Sequence, residues 1–173
     1  MHIPPFIYTL PTLGVSAHRS NAGKLSALSV TMKKHPESLF PVKGTTEFDA
    51  NEAAKKKDGE VVLYEGPVAA LAKLFPVNVN TICTAALAAS ASLGMAGVTA
   101  KLVADRGLEE MIIETRARGL PKADGSPGLR ITVIRENPSK KGEVTGQATL
   151  NSFLSSLLRV ATAPARGDGL HLA

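Results

Sequence analysis

Along residues 24–34, KLSALSVTMKK, apolar Leu28, Val30 and Met32 alternate with polar Ser29, Thr31 and Lys33, the period of a strand with one buried face. Pro36 ends that pattern. From 36 to 60 the sequence is rich in Pro, Gly, Lys and Glu and sustains no period, which predicts a surface loop. Residues 61–65, VVLYE, form a short apolar run closed by Gly66 and Pro67, and Pro67 suits the first turn of a helix over 67–74. In PVNVNTICTAALAASASLG, Asn78 or Asn80 can cap a helix packed with Ala and Leu, which Gly94 would close. So many small side chains let another backbone approach closely, so this helix is expected to be central and buried.

Three strand-like segments follow at 97–105, 111–118 and 129–135, separated by RGLEE and by the Gly/Pro-rich LPKADGSPG. In the second, Met111, Ile113, Thr115 and Ala117 share one face, and Ile112, Glu114, Arg116 and Arg118 share the other. Leu150, Phe153, Leu154, Leu157 and Leu158 then recur at the spacing of an amphipathic helix. There is no internal repeat. The order strand, strand, helix, helix, three strands, helix predicts an α+β fold, a mixed or antiparallel sheet with helices gathered on one face. The sheet face that no helix covers is expected to meet a second copy of the chain or another domain.

A length of 173 residues fits one domain over 1–173 and cannot comfortably hold a dinucleotide-binding unit beside a substrate domain. The net charge of +5 raises the question of nucleic acid. Its densest run, Lys55 to Lys57, is offset by Asp49, Glu52, Asp58 and Glu60, and no aromatics interleave with it, so nucleic acid is not an expected partner. The single Cys83 allows no internal disulfide. The opening MHIPPFIYTLPTLG has no basic stretch followed by an apolar core, and no apolar run approaches the ~20 residues that span a bilayer. A cytoplasmic location away from the membrane is the expectation.

Chemistry-bearing motifs are sparse. There is neither a G-x-G-x-x-G turn nor a phosphate-binding G-x-x-x-x-G-K-[ST] loop. His2, His18, His35 and His171 are scattered singly, so no metal site is expected. Cys83 falls within the Ala-rich helix, where a buried apolar role outweighs a nucleophilic one. Residue types and spacing alone lead no further than a soluble α+β domain.

Several segments, read together, carry more. VLYEGPVAALAKLFPVNVNTICTAALA, residues 62–88, resembles the signature of the L-aspartate dehydrogenase family, and GKLSALSVTMKKHP, the VAD at 103–105 and RENPSKKGEVTGQATLNSFLSSLL at 135–158 fall in that family's order. VTM-x-x-HP and the ending GLHL at 169–172 are similar to its aspartate dehydrogenase domain-containing branch. The resemblance covers nearly all of residues 11–172 and is to the C-terminal, catalytic and dimerising domain; the N-terminal Rossmann domain has no counterpart. It implies oxidation of L-aspartate through iminoaspartate to oxaloacetate and ammonia with NAD or NADP, a link to NAD biosynthesis, and a homodimer. For this chain alone, weak or no cofactor binding is expected.

The resemblance also assigns residues. The second Asn of N-x-N, here Asn80, faces the nicotinamide end of the cofactor, where a carboxamide offers one donor and one acceptor; read from the residues alone, Asn80 is a helix cap worth about 1 kcal/mol. The family's A-D-P-x-x-x-x-N-x-H becomes A-D-R-G-L-E-E-M-I-I, so the Asn position is Met111 and the position of the catalytic His is Ile113. Neither moves a proton. His35 and His171 are the candidate substitutes. Lys33, Lys34, Arg106, Arg116 and Arg135 are unranked candidates for holding substrate carboxylates, and the Asn137-Pro138 pair reads as a turn after the strand. A module that dimerises or binds a partner without catalysing anything is the alternative.

Overall fold

The computed structural model describes residues 25–90, 92–145 and Asn151, Leu154, Ser155 and Leu158. Five strands form one mixed sheet: β1 (Leu25–Lys34), β2 (Glu60–Pro67), β3 (Val98–Asp105), β4 (Glu110–Gly119) and β5 (Arg130–Pro138), in the spatial order β2-β3-β1-β4-β5. β1 runs parallel to β3, and the other neighbours are antiparallel. A parallel pair needs a crossover. Here it is everything between β1 and β3, including α1 (Thr46–Ala54), α2 (Val68–Leu74), α3 (Asn80–Ala88) and the four-residue α4 (Gly94–Gly97).

The predicted alternation sets the layers. Leu28, Val30 and Met32 of β1, Val98, Ala100, Leu102 and Ala104 of β3, and Met111, Ile113 and Ala117 of β4 are buried in one cluster with Val68 and Leu71 of α2 and Ile82, Ala85 and Ala86 of α3. Fully burying a side chain the size of Leu71 or Ile82 is worth about 1.5–3 kcal/mol. Alanines in β3 and α3 let the helical layer settle close to the sheet. The opposite face carries Ser29, Thr31 and Lys33, Glu114 and Arg116, and exposed Val62 and Ile134. The mixed α+β architecture with helices on one side matches the expectation.

Several details differ. The stretch 36–60 contains a 3-10 turn at Pro36–Ser38 and the whole of α1. The Thr45 side chain caps α1 by accepting the Phe48 N–H, but α1 buries only Asn51 and Ala54, which is why no apolar stripe announced it. The Ala-rich helix stops at Ala88, before Gly94, which instead begins α4 at φ 61°. Only one face of α3 is buried; Leu87 is exposed. β5 runs through Asn137 and Pro138, so the expected turn there is strand. Pro138 is tolerable because β5 is the edge strand, where a missing N–H breaks no ladder. The helix expected over 150–158 lies mostly outside the described residues; Leu154 and Leu158 have helical backbone and are exposed.

Candidate active site

The strand register brings the chemistry to one end of the helix-covered face, where β1, β3 and β5 end and β4 begins. Met32 pairs with Leu102 on one side and Ile113 on the other, and Ile113 pairs with Arg135. One step outward, Lys34 pairs with Ala104, and Met111 pairs with Asn137. The N-terminus of α3 lies over these rows. Between them is a cleft of about 60 Å³ lined by Met32, Val77, Asn78, Asn80, Thr81, Met111, Val144 and Thr145.

The two asparagines of N-x-N separate in role. Asn78 is buried and spans two segments: its Oδ1 accepts the Phe40 N–H at 2.8 Å and its Nδ2 donates to the Ser38 carbonyl at 2.9 Å. Asn80 is the first residue of α3, preceded by Val79 as a cap without a side-chain hydrogen bond. The capping reading therefore fails for both. Asn80 is exposed at the cleft, and its carboxamide has no hydrogen-bond partner among the described residues.

The candidate histidine lies elsewhere. His35 opens the 3-10 turn, where its Nδ1 accepts the Glu37 N–H at 3.2 Å. An accepting Nδ1 means a neutral ring with its proton on Nε2, and that Nε2 is buried without a partner. Burial pulls its pKa below the ordinary value, opposed by Glu37 and assisted by Lys141 and Arg106. His35 does not line the cleft. His171 lies outside the described residues. Met111 lines the cleft and Ile113 sits in the core beside it, 5% and 4% exposed, so the two positions that carry polar groups in the resembled family are apolar wall here.

The five basic candidates are now ranked. Lys33 pairs with Glu60 and Arg116 with Glu114 on the open face, and Arg106 is an exposed loop residue 3.6 Å from Asp58. Lys34, next to Lys33 but on the covered face, is 1% exposed; its Nζ donates to the carbonyls of Glu143 at 2.9 Å and Val144 at 2.8 Å. Burial lowers its pKa to about 8, with Glu143 opposing. Arg135 sits across from Ile113 with its Nε buried and unpartnered, and burial lowers its pKa too. Cys83 is half-buried against the core, and burial raises its thiol pKa, as befits an inert side chain.

Sequence reasoning set Asn137 aside as part of a turn and overlooked Ser139. Both are buried, with Asn137 Nδ2 and Ser139 Oγ lacking partners among the described residues. Ser139 also lines a second hollow of about 510 Å³ with Glu109, Pro138, Lys140, Lys141 and Glu143. Among the described residues, no three of His, Cys, Asp and Glu gather as a metal site would require, and no helix is long and apolar enough to cross a membrane.

Residues 16–156 match the family described as aspartate dehydrogenase, C-terminal. The aspartate dehydrogenase domain-containing protein of Danio rerio is 44% identical over 140 residues, covering 80% of this chain and 46% of that protein. The L-aspartate dehydrogenase of Ralstonia nicotianae is 33% identical over 138 residues, covering 80% and 47%. The crystal structure of aspartate dehydrogenase from Thermotoga maritima superimposes with a TM-score of 0.58 at 21% identity, covering 93% of this chain and 54% of that one, a likeness of fold. The chain spans about half the length of the curated relatives it matches.

Proposed function

The chain belongs to the aspartate dehydrogenase family through that family's C-terminal domain, and from this premise we propose that it is the substrate-side half of an NAD(P)-dependent L-aspartate dehydrogenase, converting L-aspartate through iminoaspartate to oxaloacetate and ammonia when joined to a dinucleotide-binding domain. The observation that carries the reading is Asn80, a carboxamide left unpaired at the cleft. The size of the cleft fits a half-site: ligand pockets run to roughly 300–1,000 Å³, and about 60 Å³ is too small to enclose substrate and nicotinamide together. The chain supplies one wall.

Asn80 would hold the carboxamide of the nicotinamide, donating through Nδ2 and accepting through Oδ1. The nicotinamide, when bound, supplies the hydride acceptor for Cα of aspartate. Met32 and Met111, backed by Ile113 in the core, would form an apolar floor that excludes water and strengthens every charge interaction beside it. Lys34, with its pKa lowered by burial to about 8, titrates nearer neutrality than an ordinary lysine and stands at this end of the face, which suits a proton carrier better than the displaced His35. Operation in the cytosol as a homodimer belongs to the same reading. Exposed Val62 and Ile134 on the open sheet face suit contact with a second copy.

The test joins the chain to a family dinucleotide-binding domain and follows NADH or NADPH absorbance with oxaloacetate and ammonia. Turnover that falls in Asn80→Ala is expected. A folded fusion without turnover contradicts the dehydrogenase reading and favours a non-catalytic dimerisation or partner-binding module, to which the apolar Met111 and Ile113 also point.

A further inference from the structure

Along the covered side of β5 three donors go unanswered. Arg135 and Asn137 face the same way, as their pairing with Ile113 and Met111 shows, and Ser139 follows two residues on. Nε of Arg135, Nδ2 of Asn137 and Oγ of Ser139 are all buried and all lack a partner among the described residues. Leaving one buried donor unpaired costs stability, and a buried charge without a counter-ion costs more. Three in succession, two on β5 and one just past its end, need a reason, and because each can donate, an acceptor would answer all three. A carboxylate is acceptor-only at neutral pH and is matched by a guanidinium fork. Same-face residues of a strand are about 7 Å apart, a spacing that an extended four-carbon dicarboxylate can bridge.

We infer that Arg135, Asn137 and Ser139 form an anion site that receives a carboxylate of a small dicarboxylic acid, with Arg135 as the principal anchor. The inference deepens the dehydrogenase reading and rests on it for the identity of the acid. The local charge favours an anion: Lys34 lies across the sheet from this line, and Lys140 and Lys141 line the hollow that Ser139 enters. Glu109 and Glu143 oppose them there, but Glu143 Oε2 already accepts the Lys140 N–H at 2.9 Å. The other basic candidates are unsuitable because Lys33, Arg106 and Arg116 each have a carboxylate partner.

The test titrates the full chain with succinate, an unreactive four-carbon dicarboxylate, by calorimetry, with propionate and inorganic phosphate as controls. Arg135→Met is expected to weaken succinate at least about tenfold, the order of a lost charge-assisted hydrogen bond, without lowering the thermal midpoint of the ligand-free chain. Asn137→Leu, which removes a donor and keeps the volume, is expected to weaken succinate by a smaller factor and covers the case in which Arg135→Met does not fold. Overturning results are no succinate binding by the native chain, affinity unchanged in both variants, or phosphate or propionate bound as tightly as succinate. The dinucleotide-domain fusion separates the two readings. Turnover that survives Arg135→Met overturns this site and spares the dehydrogenase; succinate binding that needs Arg135 in a fusion without turnover does the reverse.

Discussion

The two faces of the sheet treat the same residue types in opposite ways. On the open face every lysine or arginine with a described ion pair meets a carboxylate beside it: Lys33 meets Glu60, Lys101 meets Glu65 at 2.8 Å, and Arg116 meets Glu114. At the end of the covered face Lys34 answers only backbone carbonyls, and Arg135 has no acidic partner among the described residues. Exposed pairs contribute about 0–1 kcal/mol each, so the open face gains solubility and register more than stability. Buried cations cost stability unless something pays for them. The difference sets a covered end whose cations have no carboxylate partner among the described residues against an open face whose described ion pairs join neighbouring side chains.

The sharpest way to break the contrast is to exchange the faces. Met32→Lys places a cation among Leu102 and Ile113 and is expected to cost more than about 3 kcal/mol in urea unfolding, whereas Thr31→Lys, one residue away on the open face, should stay within about 0.5 kcal/mol. Next comes the pair of asparagines. Asn78→Ala loses two hydrogen bonds that join Ser38 and Phe40 to the approach of α3 and should cost about 2 kcal/mol; Asn80→Ala, with no partner to lose, should stay within about 0.5 kcal/mol while reducing turnover in the fusion. Equal destabilisation by the two would remove the reason for giving them different roles.

Lys34 sharpens the contrast through pH. Its pKa is lowered from 10.5 to about 8 in the fold, so between those values the unfolded chain binds more protons than the folded one, and stability from this group rises as pH goes from 8 to 10.5. Denaturation across that window should show the rise in the native chain and lose it in Lys34→Met. A rise that persists unchanged would place the titration elsewhere. The smallest effect belongs to the open face: Arg116→Ala should alter stability by less than about 0.5 kcal/mol, measured by the same unfolding curves, and a larger loss would mean that its pair with Glu114 does more than decorate the surface.

Alternation made much of this fold legible. The phase of β4 assigned Met111, Ile113 and Ala117 to the core and Glu114 and Arg116 to the other face, and the structure agrees. The same phase also held the information about the site. Lys34 is in step with Leu28, Val30 and Met32, and Arg135 is in step with Ile131 and Val133, but a charged side chain at a strand end reads as solvent-facing unless it is counted with its phase. Other features had no such signal. α1 buries an asparagine and an alanine, so only its Thr45 cap and acidic first turn marked it. Asn137 was hidden behind Pro138, because an Asn-Pro pair suggests a turn and only the edge position of β5 lets the strand continue.

The proposed site has half-buried Arg135, whose Nε is without a partner among the described residues, receive a carboxylate. It is tested most directly by the thermal midpoint of the native chain and of Arg135→Met as succinate is raised. A ligand that binds the folded state raises the midpoint by mass action. The native midpoint should climb with succinate, while Arg135→Met should begin at the same temperature or higher and stay flat. Parallel curves, or an Arg135→Met chain that starts lower and still climbs, would contradict it.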